Sequence, residues 1–313
     1  MIHFNSLAEI SDDVASFVTI GKFDGIHLGH QKLISKVVES QQQAAAGGAS
    51  RSVVVTFDRH PDAVLKPDQL RLPLIGPGQK LRAIEQLGVD AVLTLPFTAE
   101  LAAQTGEEFV EQVLVEALHA KHVVVGPDFR FGHAGAGDTA KLIELGQKHG
   151  FVVEVLEPVE FNGEKISTSA IRDALDRGDV KTANGMFGRV HTTVGAVEHG
   201  LKIGRTIGFP TANISRSAEG YLPLDGVYAG WLIADGVRYP AAHSVGVNAT
   251  FQEVPRLVES HVIGFTQLDL YDKVVTLEYI DFIRTSAKFN GVDELVAEIH
   301  RDLEKITRIL EAK

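Results

Sequence analysis

Over roughly the first 180 residues, short apolar runs alternate with longer amphipathic ones, and this alternation restricts the fold more than any other feature. The apolar runs are residues 16–20, 52–57, 91–95, 122–125 and 151–155. Between them, residues 31–46, 77–87, 106–118 and 138–149 read as helices. Within 106–118, Phe109, Val110, Val113, Leu114, Ala117 and Leu118 form one stripe at helical spacing, and that stripe is core packing. A strand that is apolar throughout needs cover on both faces. The pattern therefore predicts a parallel sheet between two helix layers, with ligand chemistry gathered beyond the carboxyl ends of its strands.

The first of those ends carries Gly21-Lys22-Phe23-Asp24-Gly25-Ile26-His27-Leu28-Gly29-His30. Glycines let a backbone bend tightly and approach a ligand, and the helix that follows points free amides at whatever lies before it. His27 and His30, three apart with Gly29 between them, can aim two donors at one group of phosphate oxygens. A glycine turn alone is ordinary, and two loop histidines can be plain surface groups. The strand-turn-helix setting and the H-x-G-H spacing together favour a nucleotide site. Later ends carry Thr56-Phe57-Asp58-Arg59-His60-Pro61, then Gly126-Pro127-Asp128-Phe129-Arg130-Phe131-Gly132, then Ile166-Ser167-Thr168-Ser169-Ala170-Ile171-Arg172. Taken singly, each is turn or helix-cap chemistry. Four such segments at successive strand ends exceed what turns require, and hydroxyls, amides and an Arg at a helix start can clamp a triphosphate.

Composition narrows the function classes. The chain has 313 residues, 44% of them hydrophobic, enough for two domains. A net charge of −11 argues against a nucleic-acid partner, whose phosphates need a basic surface. Absence of cysteine excludes disulfides and thiolate chemistry. The first residues lack a basic segment leading into an apolar core, so no signal peptide is expected. No apolar run reaches the roughly 20 residues that span a bilayer, so we expect no membrane partner and a cytoplasmic location. Oligomeric state stays open, a homo-oligomer included.

Near residues 176–185 the alternation stops, and the stretch from Arg177 to Gly185 reads as a helical or loop connector. Short β runs follow at 192–197, 226–233, 243–247, 261–265 and 274–282, which predict an antiparallel barrel or sandwich. Leu295, Val296, Ile299, Leu303, Ile306 and Leu310 then line one face of a final helix over 292–310. Among the β runs lies Gly200-Leu201-Lys202-Ile203-Gly204-Arg205-Thr206-Ile207-Gly208-Phe209-Pro210-Thr211-Ala212-Asn213. Three glycines spaced by four could be a hairpin connection or an arch over phosphates, and no Gly-Lys-Ser/Thr ends it as a Walker loop would. Thr211 and Asn213, two apart in an extended segment, place two oxygens on one face, a set that suits a hard cation such as Mg²⁺.

The segments G-x-F-D-G-x-H-x-G-H, T-F-x-x-H-P, G-x-D-F-x-F-G and I-S-[ST]-[ST]-x-I-R resemble the FMN adenylyltransferase module of bacterial bifunctional FAD synthetases. The stretch from Gly200 to Asn213 resembles the G-F-P-T-A-N signature of their riboflavin kinase module, and Val258-Glu259-Ser260-His261 its V-E-[ST]-H strand. The resemblance implies a Rossmann-like α/β adenylyltransferase domain over residues 1–186. It implies a β-barrel kinase domain with a C-terminal helix over 187–313. Riboflavin and ATP would give FMN, and FMN with ATP would give FAD and pyrophosphate. It assigns catalytic roles to His27, His30, Arg172 and Glu259, the last as base, and Mg²⁺ binding to Thr211 and Asn213. Nucleotide contacts would come from Gly21, Phe23, Asp24, Gly29, Gly126, Asp128, Ser167 and Thr168, and from Gly200, Lys202, Gly204 and Gly208. Flavin contacts would come from His60 and Arg284.

Four positions depart from the family pattern. Ala249 stands for a proline, Asp272 for the glycine after Asp269-Leu270-Tyr271, and Ser286 for an acidic residue, while Pro127 fills a variable slot. None is a proposed ligand or base. Two rival readings are a kinase whose first domain is inert and a non-catalytic flavin or nucleotide regulator. Intact His27, His30, Asp128 and Arg172 oppose the first rival. A binder would have no use for Thr211, Asn213 and Glu259 together.

Overall fold

The computed structural model describes all residues except 45–47, 66–67, 69–71, 201–202, 247–255, 266–267 and 313. Two compact units result, Met1–Ser167 and Thr168–Lys313.

The first unit is built on a six-stranded sheet of β1 (Ile2–Phe4), β2 (Ala15–Ile20), β3 (Ser50–Phe57), β4 (Ala91–Leu95), β5 (Ala120–Val125) and β6 (Val152–Val155). Every pairing is parallel, in the order β1-β4-β3-β2-β5-β6. The expected two-sided cover is present. Val53, Val55 and Leu93 meet Phe109, Leu114 and Leu142 on one face. Val54 and Val92, the residues between, meet Ile34, Ile84 and Phe23 on the other. Each such buried aliphatic contributes about 1.5–3 kcal/mol of burial. The helices are α1 (Leu28–Ala44), α2 (Asp62–Leu65), α3 (Pro77–Glu85), α4 (Ala99–Ala103), α5 (Gly106–Phe109) and α6 (Thr139–His149).

Three local differences from the sequence reading have clear causes. The helix expected over 106–118 begins as α5, held by a Thr105–Glu108 capping box, and continues as a π-helix over Val110–Ala117. Leu118 N–H accordingly reaches back to the Val113 carbonyl. Strand β1 escaped the sequence reading because three residues at a sheet edge carry no periodicity. Asp138, expected inside a helix, instead caps α6 by accepting the Lys141 amide at 2.9 Å.

Chain order runs from β2 outward to β3 and β4, then returns to the opposite side of β2 with β5. A crevice therefore opens beyond the carboxyl ends of β2 and β5, where successive connections leave in opposite directions. The turns at Gly21 and Gly126 leave from those two ends.

A two-residue hairpin, β7 (Glu160–Phe161) with β8 (Glu164–Lys165), closes the first unit. The second unit starts with α7 (Thr168–Asp176) and α8 (Val180–Phe187). It continues as a barrel of β9 (His191–Glu198), β10 (Ala212–Ile214), β11 (Gly226–Ala234), β12 (Val237–Gly246), β13 (Leu257–Val262) and β14 (Val274–Thr285). The barrel is closed, in the order β10-β13-β12-β11-β14-β9, and all its pairings are antiparallel. A sandwich is thereby excluded. The strand expected over 261–265 occupies Leu257–Val262 instead, ending in a turn at Ile263–Gly264. Of the strand expected over 243–247, residue 247 lies outside the described residues. A short helix, α9 (Ile203–Thr206), follows β9, and α10 (Val292–Glu311) ends the chain. Ile306 and Leu310 of α10 pack on Ala229, Ile280 and Ile283.

The connector read near residues 176–185 is helical and packs on the barrel. Asn184 of α8 donates to the Tyr279 carbonyl at 2.9 Å and accepts the His191 amide at 2.7 Å. Leu175 of α7 accepts the Leu224 amide at 2.9 Å.

Two candidate active sites

Left-handed backbone shapes the turn after β2. Phe23, Gly25 and Ile26 adopt φ values of 47°, 89° and 41°. That conformation is unfavourable for an aromatic or β-branched residue. Burial of both Phe23 and Ile26 offsets it, since each is 1% exposed within the α1-side core. The Phe23 ring lies over Gly21, where an added Cβ would stand 3.1 Å from the ring. The carbonyl of Lys22 accepts from Thr56 Oγ1 at 3.2 Å and from Lys80 Nζ at 3.0 Å, which ties the turn to β3 and α3. Burial lowers the pKa of Lys80, and the charges of Asp24 and Asp58 partly offset that. Asp24 is itself buried and accepts the Leu74 amide at 2.7 Å.

His27 immediately precedes α1, and its Nδ1 accepts the His30 amide at 3.3 Å, as a helix-capping side chain does. A neutral His27 therefore carries its ring hydrogen on Nε2. The two imidazoles stack, with centroids 3.6 Å apart and planes 18° from parallel. Phe23 meets His30 edge-on at 5.2 Å. Gly29 is the second residue of α1. The turn thus brings Gly21, Phe23, Asp24, His27, Gly29 and His30 together.

Of the other residues expected at this site, some follow later strands of the sheet and two lie in the second unit. His60 Nδ1 accepts the Asp62 amide at 3.1 Å, after β3. Gly126 accepts the Phe129 amide in the turn after β5, and Asp128 in that turn pairs with Lys165 of β8. Ser167 ends the first unit. Thr168 and Arg172 belong to α7, in the second unit, where the Arg172 guanidinium sits 5.5 Å from the Tyr221 ring centre. The sequence reading missed Lys80, which sits in an amphipathic helix without a motif. Thr56 stood within a quoted segment but received no role.

In the barrel, register does the assembling. Asn213 of β10 pairs directly with Glu259 of β13, so their side chains share a face. Thr211 Oγ1 donates to Glu259 Oε2 at 3.2 Å on that face. All three are half-buried, whereas Ala212, Ile214, Val258 and Ser260 point inward and are buried. A cavity of about 480 Å³ opens beside Thr211, lined also by Arg205, Pro210, Ala212, Ser260 and Tyr271 among others; Asn213 and Glu259 are not among its lining residues.

The glycines of the arch serve different ends. Gly200 lies against the Asn213 carboxamide, which any side chain at 200 would strike. Gly204 accepts the Phe209 amide at 2.8 Å, closing the turn after α9. Gly208 takes φ 91°, a conformation that only glycine adopts cheaply. Lys202 lies outside the described residues, as does Ala249.

Arg284 is taken up by α10. Its Nε and Nη2 lie 2.9 and 2.8 Å from Asp302 Oδ2, with Glu298 at 3.5 Å. The departure at Asp272 has a physical account: its φ is 61°, the left-handed region that glycine favours and Asp tolerates. Ser286 lies near Gly246 and Asp225. Arg205 and His261 were missed as site residues, although both stand inside the quoted motifs.

Comparison with known proteins matches residues 9–170 to the FAD synthetase family model and residues 187–310 to the riboflavin kinase model. The bifunctional riboflavin kinase/FMN adenylyltransferase of Listeria monocytogenes serovar 1/2a is 35% identical over 303 residues, covering 96% of this chain and 94% of that protein. The protein of the same description from Escherichia coli (strain K12) is 33% identical over 289 residues, covering 91% and 90%. A solved structure described as a macrolide-efflux protein from Streptococcus pneumoniae is 33% identical, with a TM-score of 0.88 and 98% coverage of both chains. Two catalytic modules in this order, on these two folds, place the chain in the family of bifunctional riboflavin kinase/FMN adenylyltransferases.

Proposed function

We propose that the chain phosphorylates riboflavin with ATP to FMN and ADP, then transfers AMP from a second ATP to FMN, giving FAD and pyrophosphate. The observation that carries the reading is the Thr211–Asn213–Glu259 group gathered on one face of the β10–β13 pair. It puts a carboxylate base and two neutral oxygens within reach of one another, as transfer from ATP to a hydroxyl needs.

In the kinase step Glu259 accepts the proton of the ribityl 5′-hydroxyl as its oxygen attacks the γ-phosphorus. The Thr211 hydroxyl orients that carboxylate. Among the described residues no group of three or more His, Cys, Asp or Glu side chains could hold a metal, so no carboxylate cage is present. Thr211 and Asn213 suit a Mg²⁺ that completes its shell with water and phosphate, and they would hold it. When bound, that ion neutralises charge on the ATP phosphates. The three glycines let the arch lie close over those phosphates, with Arg205 at the cavity wall.

In the adenylyl transfer an FMN phosphate oxygen attacks the α-phosphorus of ATP, and pyrophosphate leaves. His27 donates from Nε2, and His30, stacked on it, serves the same phosphates. Catalysis of this kind is positioning and charge stabilisation, which is why the backing of the turn by Lys80 and Thr56 matters. Gly126 and Asp128, at the neighbouring strand end, keep the nucleotide roles that their motif suggests, as do Ser167, Thr168 and Arg172. His60 and Arg284 keep their flavin roles on the motifs alone. The efflux description stays with the pneumococcal relative; among the described residues no helix is long and apolar enough to cross a membrane.

The test is incubation with riboflavin, ATP and Mg²⁺, followed by chromatographic separation of the flavins. FMN should appear first and FAD after it. FMN alone would leave only the kinase. Tight flavin binding without turnover would make the chain a binding protein.

A further inference from the structure

We propose that His261 is a positioning residue of the kinase site, holding Pro210 so that Thr211 and Asn213 face Glu259; this rests on the kinase reading above. The ladder between β10 and β13 contains Ala212 opposite Ser260 and Asn213 opposite Glu259. Strand β10 starts at Ala212, and the proline two residues earlier has no N–H with which to extend the pairing. Thr211 therefore lies just beyond the backbone ladder, although its hydroxyl must be placed to within a fraction of an ångström.

Side chains supply what the ladder does not. Thr211 Oγ1 reaches Glu259 at 3.2 Å, and His261 Nδ1 lies 2.8 Å from the Pro210 carbonyl oxygen. A carbonyl oxygen can only accept, so Nδ1 carries the hydrogen and donates. His261 and Glu259, two apart on β13, stand on the same face. One short stretch of strand thus carries the base and also the group that anchors the segment bearing the two oxygens. The His261 ring meets Phe209 edge-on at 5.6 Å, and Phe209 in turn meets His300 of α10 at 5.2 Å. Phe209-Pro210 is thereby held from two sides, by β13 and by the C-terminal helix.

The test uses the full-length protein and both of its reactions. His261→Phe keeps a ring against Phe209 and removes the donor. It should lower kcat for riboflavin phosphorylation by about tenfold, the scale of one lost positioning hydrogen bond. It should also raise the Mg²⁺ concentration needed for half-maximal rate while leaving the KM for riboflavin alone. FMN adenylylation by the same protein should not change, and an unfolding midpoint followed by the fluorescence of Trp231, in β11 of the same barrel, should match wild type, which reports that the barrel is folded. His261→Asn presents an amide N–H about where Nδ1 stood and should recover most of the lost rate. A wild-type rate in His261→Phe, or an Asn variant as slow as the Phe variant, overturns the proposal while the kinase reading stands. A wild-type protein that makes no FMN overturns both. Should His261→Phe not fold, His261→Leu takes its place beside Asn, which it matches in size without a donor. Equal rates in that pair overturn the proposal, and a faster Asn variant supports it.

Discussion

The hydroxyl of Thr211 donates to the carboxylate of Glu259 at 3.2 Å across 48 residues of chain, and Asn213 faces the same carboxylate from the opposite strand. The bond engages Oε2 of Glu259, and on the function proposed above this carboxylate takes the proton of the riboflavin hydroxyl. Glu259→Gln preserves the shape and removes the proton acceptor. Riboflavin phosphorylation should then fall by roughly 10²–10⁴, the usual worth of a general base, while added FMN is still converted to FAD. Chromatography of both reactions checks this, and a Gln variant with normal FMN formation would exclude Glu259 as base.

At the other site the stacked histidines should separate by role. His30→Ala is expected to cut FAD formation by roughly 10²–10³ with FMN formation intact. His27→Ala should do the same and in addition cost about 1 kcal/mol of stability, because it removes the Nδ1 cap on α1. Melting curves beside the two activities distinguish them. A His27 variant that melts like the His30 variant would show that the cap contributes nothing.

The fold was largely legible in the sequence because continuous apolar strands and amphipathic helices leave few ways to bury both faces of a sheet. Val53, Val54 and Val55 illustrate this, since alternate members serve opposite cores. What stayed illegible was set by contacts distant in sequence. Lys80 reads as one more charged residue on a helix until its Nζ is found on the Lys22 carbonyl. The Asn213–Glu259 pairing depends on a barrel register that no local pattern encodes. Arg284, read as a flavin residue from its motif, is seen here in an ion pair with Asp302 of α10. Asp272 looked like a defect in a motif and turns out to satisfy the same left-handed geometry as glycine.

Two histidines in the barrel core set its tolerance of acid. His243 bridges the Ser260 hydroxyl and the Glu278 carbonyl, and His191 donates to the Tyr221 carbonyl at 2.7 Å. Burial pushes both pKa values down to about 4, well below the ordinary 6.5 of an unfolded chain. Between those values the unfolded state binds more protons than the folded one. Stability should therefore be flat above pH 6.5 and fall as the pH drops toward 4, by up to roughly 1.4 kcal/mol per pH unit for each histidine. The chain has one tryptophan, and it is Trp231 of β11. Its fluorescence follows the barrel, and an unfolding midpoint unchanged between pH 7 and 5 would contradict the expectation.

A fragment that keeps the kinase activity should begin at α7, although this leaves Thr168 and Arg172, proposed for adenylyl transfer, on the kinase side. From sequence, residues 189–313 make a complete kinase. In the structure the barrel also carries α8, whose Val180, Ala183, Met186 and Phe187 are all at most 3% exposed. Phe187 stacks on His191 at 5.6 Å, and Asn184 bonds the backbone on either side of that contact. Removing residues 168–188 would uncover His191 and Tyr279 and forfeit the burial of two large side chains and at least three hydrogen bonds, those of Asn184 with Tyr279 and His191 and that of Leu175 with Leu224. The loss is on the order of 5 kcal/mol, comparable to the whole stability of many domains. A fragment of residues 168–313 should therefore fold and convert riboflavin to FMN without making FAD. The fragment 189–313 should melt at a much lower temperature or precipitate. Equal melting temperatures for the two fragments would mean that α7 and α8 merely rest on the barrel, and the kinase unit would then begin at β9.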